Sequence, residues 1–353
     1  MTTWFSWLSS RHESISTVIR PKRKEIVLFL VKWTSIILVL GSLVFFSIYQ
    51  VDLNAHIGWR DYLVPDRPSA GSLSSCFNRQ MNKTTHYSLF PSIPVKEFDT
   101  CFDYARLIQP FNKSTTTSLF HTYWSTEQSS QLTQNQLATL RSFVATQPAN
   151  TQLYVWTTPT DQKKLMQDPL WQSIRSNRIQ WMSIDTLALQ PTDQIEWMVK
   201  THSLYQHGGV WMDLDVLLIR DLSPLLHQEW LSQSSCFEQS TGAMMHFFAG
   251  SSYVCEIEQS SKTFRGASVY QQVYRRLLEH HITPWAVLPW CFTDPSQCQS
   301  SNSLPDLFRH GVGQEEVHKM MHVFAYHWHE QWHRKPGTLF NYLIELHKKT
   351  TTW

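Results

Sequence analysis

Charge is scarce in this chain. Asp, Glu, Lys and Arg make up 16% of its 353 residues, and the formal net charge is +2. A nucleic-acid partner would need a basic face, and nothing here supplies one. Cysteine is missing from the first 75 residues; all six (Cys76, Cys101, Cys236, Cys255, Cys291, Cys298) come later. Charge is absent altogether from Trp33 to Tyr49, and no Lys or Arg follows Lys32 until Arg60. Residues 50–110 lack sustained periodicity and are punctuated by Pro65, Pro68, Gly71, Pro91 and Pro94. No heptad pattern points to an oligomer. Aromatic residues are abundant, with 16 Trp, but Trp serves cores as readily as ligand surfaces and decides nothing alone.

The uncharged run, extended by Ile26–Val31 behind Lys32, is long enough to cross a bilayer, which takes about 20 apolar residues. Lys32 lies near its end and can snorkel. Arg11, Arg20, Lys22, Arg23 and Lys24 precede it, so the positive-inside rule makes 1–25 a cytoplasmic tail. The competing reading is a cleaved signal peptide. The apolar region is long for one and no small-x-small site follows, which favours an uncleaved type II signal anchor over 26–49. The remaining chain would then face a lumen. Cysteines confined to that side fit an oxidising compartment, and so do the sequons Asn82-Lys83-Thr84 and Asn112-Lys113-Ser114. Spacing cannot choose the cysteine pairing, although Cys291 and Cys298 flank Pro295 closely enough for a local bridge. Residues 50–114 read as a lumenal stem and 115–353 as the catalytic domain.

The stretch around which this domain is organised is Gly208-Gly209-Val210-Trp211-Met212-Asp213-Leu214-Asp215-Val216-Leu217-Leu218. In an extended chain, residues two apart share a face, so Asp213 and Asp215 would aim at one object while Leu214 points to the core. Acids flanked by buried-type strand residues are costly without a counter-charge. Carboxylate oxygens favour a hard divalent cation, and two leave coordination positions open for phosphate oxygens. The plain alternative is a surface turn between two strands.

Gly-Gly-Val-Trp-Met-Asp-Leu-Asp-Val resembles the signature of family 32 glycosyltransferases, which include alpha-1,4-galactosyltransferase and alpha-1,6-mannosyltransferase types. The resemblance covers about 115–345 and is most specific around 200–222. It implies a GT-A fold, an aspartate pair holding Mn2+ against a UDP- or GDP-linked sugar that Trp211 also helps to bind, and retaining transfer of a hexose to a glycan or glycolipid acceptor in the Golgi. The family's preceding helix carries Ser-Asp-x-x-Arg facing the sugar nucleotide. Here Lys200 stands at the Arg position and Trp197 at the Asp position, so Asp193 or Glu196 would have to supply the missing carboxylate. A lysine cannot make the planar bidentate contact of an arginine. Near the C-terminus, Tyr326-His327-Trp328-His329-Glu330-Gln331-Trp332 resembles His-His-Trp-x-x-Ser-Trp, matching at His327, Trp328 and Trp332. By resemblance His327 closes the metal shell, with His329 the second candidate. His121 and Trp124 resemble a pair on the strand that opens the nucleotide-binding half.

The chain between these landmarks alternates strand and helix. Strands are expected at 118–124, 153–156, 179–184 and 242–249, and helices at 133–146, from Thr192 to His207, at 253–264, 268–280 and 338–348. Such alternation argues for an α/β layered domain with a mixed, largely parallel sheet. The loss of the family Asp at Trp197 leaves a second reading open: a catalytically weak lumenal glycan-binding or scaffolding protein on the same fold.

Overall fold

The computed structural model describes residues 26–45, 47, 71–80, 101–109, 118–174, 176–189, 194–233, 240–295 and 304–350. Asp193, Thr192, Cys236, Cys298 and both sequons lie outside these residues. The chain divides into two compact units, Met1–Arg67 and Pro68–Trp353. In the first, helix α1 (Ile26–Phe45) has 20 residues with a mean hydropathy of 2.2, long and apolar enough to cross a membrane. Two of its hydroxyls are satisfied within the helix: Thr34 donates to Leu30 and Ser35 to Val31, each at 2.9 Å.

The second unit opens with two short helices, α2 (Ser75–Gln80) and α3 (Cys101–Leu107), in the stretch read as stem. There follow β1 (Leu119–Tyr123), α4 (Gln134–Thr146), β2 (Gln152–Thr157), α5 (Pro159–Gln167), α6 (Pro169–Gln172), β3 (Ile179–Ser183), α7 (Ile195–His207), β4 (Gly209–Met212) and β5 (Val216–Leu218). After these come β6 (Trp230–Gln233), β7 (Ser240–Phe247), α8 (Ser252–Ser261), α9 (Ala267–Glu279), β8 (Ala286–Leu288), α10 (Trp290–Thr293), α11 (Gln314–Met320), β9 (Ala325–His327) and α12 (Thr338–Thr350). Thr133 starts α4 as a capping box: its hydroxyl accepts from the Gln136 amide, and the Gln136 side chain accepts from the Thr133 amide at 2.8 Å.

Seven strands form one sheet in the order β3-β2-β1-β4-β7-β6-β8. The pairs β3–β2, β2–β1, β1–β4 and β6–β8 are parallel, while β7 runs antiparallel to β4 and β6. The mixed, largely parallel sheet expected from the alternation is present. Both faces are covered, as a parallel sheet requires. Val210 and Met212 of β4 pack into one core with Phe120, Leu140 and Phe143. Trp211, pointing the other way, packs with Val199, Met245 and Val254 in a second core.

Two disulfides tie the early helices to this body: Cys76 to Cys255 of α8, and Cys101 to Cys291 of α10. The local Cys291–Cys298 bridge is therefore corrected; Cys291 is engaged with a partner 190 residues away. Phe77, Phe102 and Ala105 are buried alongside these bridges.

Candidate active site

The site grows out of the turn that ends α7. Gly208 and Gly209 have φ of 65° and 101°, in the region that disfavours side chains. A Cβ at Gly208 would strike the Ala249 amide nitrogen, and one at Gly209 the Leu119 carbonyl oxygen. The double glycine lets β4 enter between β1 and β7. His121 on β1 locks the entry. It is fully buried, its Nε2 lies 2.9 Å from the Gly208 carbonyl, and Trp156 Nε1 donates to its Nδ1 at 3.1 Å. Those partners require the Nε2-protonated neutral ring. Burial, opposed by the Gly208 bond, lowers its pKa to about 4. His121 thus braces the turn and does not face a ligand. Trp124 is likewise fully buried.

β4 stops at Met212, and Asp213-Leu214-Asp215 forms a turn, closed by the Val216 amide donating to the Asp213 carbonyl at 3.1 Å. The expected single extended strand is replaced by two strands in different sheets, because β5 leaves the main sheet to pair with β9. Both aspartates still line one cavity of about 670 Å³, with Leu214 only 2% exposed. Tyr123, the last residue of β1, also lines it. The cavity therefore opens at the carboxyl ends of parallel strands, where open α/β sheets bind ligands.

The β5–β9 pair is what brings the distant histidine in. Val216 lies opposite His327, and the Trp328 amide donates to the Asp215 carbonyl at 2.9 Å. His327 Nε2 is 3.1 Å from Asp215 Oδ2, which also accepts from the Glu330 amide at 2.8 Å. Asp215 is 2% exposed. Burial works against its charge, but His327 and the Glu330 amide outweigh it and hold the carboxyl below its usual range. Burial likewise opposes a charged His327; Asp215 and then Asp294 prevail and raise it well above an ordinary histidine. His329 sits beside it, ring centroids 4.0 Å apart, at a left-handed φ of 52°. The pair converges through this turn rather than through an extended segment.

Asp213 has its own cation. Lys200 Nζ lies 3.0 Å from Asp213 Oδ1 and donates to the Gly242 carbonyl at 3.0 Å. Burial would discharge this lysine, but Asp213 holds the ammonium above its usual range. Trp211 is fully buried and donates Nε1 to the same Asp213 oxygen at 2.6 Å. Lys200 and Trp211 therefore stand behind Asp213 and do not line the main cavity. Glu196 does line it, accepting from Gln128 at 3.3 Å. Burial and then the Asp213 charge raise Glu196 to about 7, against the pull of Lys200. Glu196 also borders a second cavity of about 350 Å³, with Trp197, Lys200, Phe264 and Arg265.

The donor types here suit a divalent cation: among the described residues Asp294, His327 and His329 bring ligand atoms within 4.8 Å of one another, and Asp215 touches His327 from its other ring nitrogen. Asp215 Oδ1 is buried with no hydrogen-bond partner, the mark of an acceptor awaiting a ligand. Two carboxylates and an imidazole beside an open cavity suit a metal that keeps positions for an outside ligand. Asp213, Asp215 and His327 would hold it. The sequence missed Asp294, which bonds both histidines; an Asp directly before Pro295 reads as a turn residue.

No protein-family profile matches the chain, and no curated protein does. Solved structures that it resembles in fold include glycosyltransferases. GlyE of Streptococcus pneumoniae TIGR4 is 10% identical with a TM-score of 0.39, covering 66% of this chain and 60% of GlyE. The galactosyltransferase LgtC, solved with donor and acceptor sugar analogues, is 11% identical at 0.35, covering 67% and 97%. Mouse xyloside xylosyltransferase 1 is 10% identical at 0.34, covering 60% and 96%.

Proposed function

We propose that this protein is a retaining, metal-dependent hexosyltransferase of GT-A type. It takes its sugar from a UDP- or GDP-linked donor and passes it to a glycan or glycolipid acceptor, held at the Golgi membrane by α1. The observation that carries the reading is the D-x-D turn on the cavity wall. Asp213 and Asp215 both line the cavity, Asp215 meets His327 there, and one Asp215 oxygen is left buried without a partner.

A divalent cation held here by Asp213, Asp215 and His327 would supply charge neutralisation for a departing nucleoside diphosphate. The chain's own residues do the rest. Lys200 and Trp211 fix Asp213, and the Glu330 amide fixes Asp215, so the acidic turn is preorganised before substrate arrives. The larger cavity takes the nucleotide diphosphate. Its smaller neighbour, reached past Glu196, offers the faces of Trp197 and Phe264 to a pyranose ring. Glu196 supports the role of the family's absent Asp, accepting from a sugar hydroxyl. Its place on the wall does not make it a nucleophile, so retention is assigned to attack from the leaving-group face, with the leaving phosphate as base.

The test uses full-length protein in detergent with Mn2+ and, in turn, UDP-galactose, UDP-N-acetylglucosamine and GDP-mannose. One donor is expected to be turned over with retained anomeric configuration, and Asp215→Asn to reduce turnover by roughly 100-fold or more. An inverted product refutes retention. Nucleotide binding without transfer from any donor favours the glycan-binding reading instead.

A further inference from the structure

One buried carboxylate at the site belongs to neither the acidic turn nor the α7 face. Asp294 follows α10 and is 2% exposed. Its Oδ2 lies 3.4 Å from His327 Nδ1 and its Oδ1 3.0 Å from His329 Nε2. Among the described residues it pairs with these two histidines and with no Lys or Arg. His327 is thus gripped at both ring nitrogens, by Asp294 on one side and by Asp215, 3.1 Å away, on the other. The ring cannot turn about its Cβ–Cγ bond without losing both contacts.

The placement of Asp294 is itself fixed from two directions. Cys291, three residues earlier, is bonded to Cys101 of α3. The Phe324 amide donates to the Phe292 carbonyl at 2.8 Å, joining α10 to the segment that leads into β9. His329, whose Nε2 reaches the same carboxylate, sits in a left-handed turn with Glu330, at φ of 52° and 54°. Among the described residues this carboxylate faces these two histidines and no other cation, which points to a role for Asp294 beyond packing.

We propose that Asp294 is a positioning residue for the metal-binding imidazole. It takes the Nδ1 proton of His327 as a hydrogen bond, and so leaves the Nε2 lone pair facing the Asp215 oxygens, where a divalent cation is held. It keeps His329 close beside the same ring, with centroids 4.0 Å apart and the planes tilted by 45°. A carboxylate behind a ligating histidine orients the ring and increases its basicity as a ligand. This inference rests on the metal reading of the site given above.

The experiment is Mn2+ titration of full-length protein in detergent, following free Mn2+ by electron paramagnetic resonance, so that no turnover is needed. The wild type is expected to bind one ion. Asp294→Asn, which is isosteric, is expected to bind one ion 10–100-fold more weakly, the usual effect of losing such a partner. Asp294→Glu, which keeps the carboxylate on a longer arm, should fall between the two. If Asp294→Asn fails to fold, the Glu variant is read alone, and wild-type affinity there overturns the inference. Unchanged affinity in Asp294→Asn also overturns it. So does a wild-type stoichiometry of two that drops to one, since Asp294 would then be a ligand of a second ion. A wild type that binds no Mn2+ sinks the metal reading itself, a result distinct from the failure of Asp294 alone.

Discussion

Replacing Lys200 by methionine separates what the sequence suggested for this residue from what the structure shows. By resemblance its cation would touch the donor diphosphate; in the structure its ammonium is engaged with Asp213 and the Gly242 carbonyl. At 3.0 Å and an effective dielectric of ~20 the bare attraction is about 5 kcal/mol, before the desolvation that still raises the Asp213 pKa is set against it. Removing one partner of a fully buried pair typically costs ~3–5 kcal/mol. The Asp213 side chain keeps 24% exposure to the cavity, and Trp211 still donates to it, so about 2–3 kcal/mol is expected. For a unit of this size that lowers Tm by roughly 5–10 °C. Mn2+ at ~100 times its Kd returns about 2.7 kcal/mol by mass action. It should raise Tm in the variant at least as much as in the wild type, because the variant's site is more negative by one charge. Thermal unfolding with and without Mn2+ reads both effects. A Tm within ~2 °C of wild type, or a smaller Mn2+ shift in the variant, would refute the placement of Lys200 behind Asp213.

His121 is held near pKa 4 in the fold, against about 6.5 when unfolded. The unfolded chain therefore binds the extra proton between these values, and stability is lost as pH falls through that window, by up to ~3 kcal/mol. His121→Gln should flatten this part of the stability curve, read by denaturant unfolding at pH 7 and pH 4.5. Glu229 has the opposite sign: burial raises it to about 7, so its contribution is complete below about 4.5 and is lost as pH rises through 7. Glu229→Gln should gain on the wild type above pH 7, by up to ~3 kcal/mol. Paired Cys76→Ser and Cys255→Ser, opening a loop of 179 residues, should cost ~2–5 kcal/mol in chemical denaturation. Trp197→Ala should raise donor KM about tenfold while leaving the Mn2+ Kd unchanged; a shift in Mn2+ affinity would place the residue wrongly.

Local signals carried much of this architecture. Alternation in Val210-Trp211-Met212, the double glycine and the Thr133 cap each specify structure within a few residues, and the strands and helices formed close to where they were expected. The aspartate pair was legible as a site, but its shape was not. Apolar residues on both sides read as one strand, whereas β5 departs to pair with β9 more than 100 residues later, information no local pattern holds. Long-range pairing also hid the role of Asp294, the Cys101–Cys291 bridge and the placing of Lys200 behind Asp213. His121, read only as part of a pair on the strand opening the nucleotide-binding half, is a buried brace whose partners, Gly208 and Trp156, lie on other elements.

The most direct test of the central claim is calorimetric binding of UDP and GDP to the full-length protein, with Mn2+ and with excess chelator. One of the two nucleotides is expected to bind the wild type only when Mn2+ is present, and Asp215→Asn to bind neither. Nucleotide binding that survives both chelation and Asp215→Asn would contradict that claim.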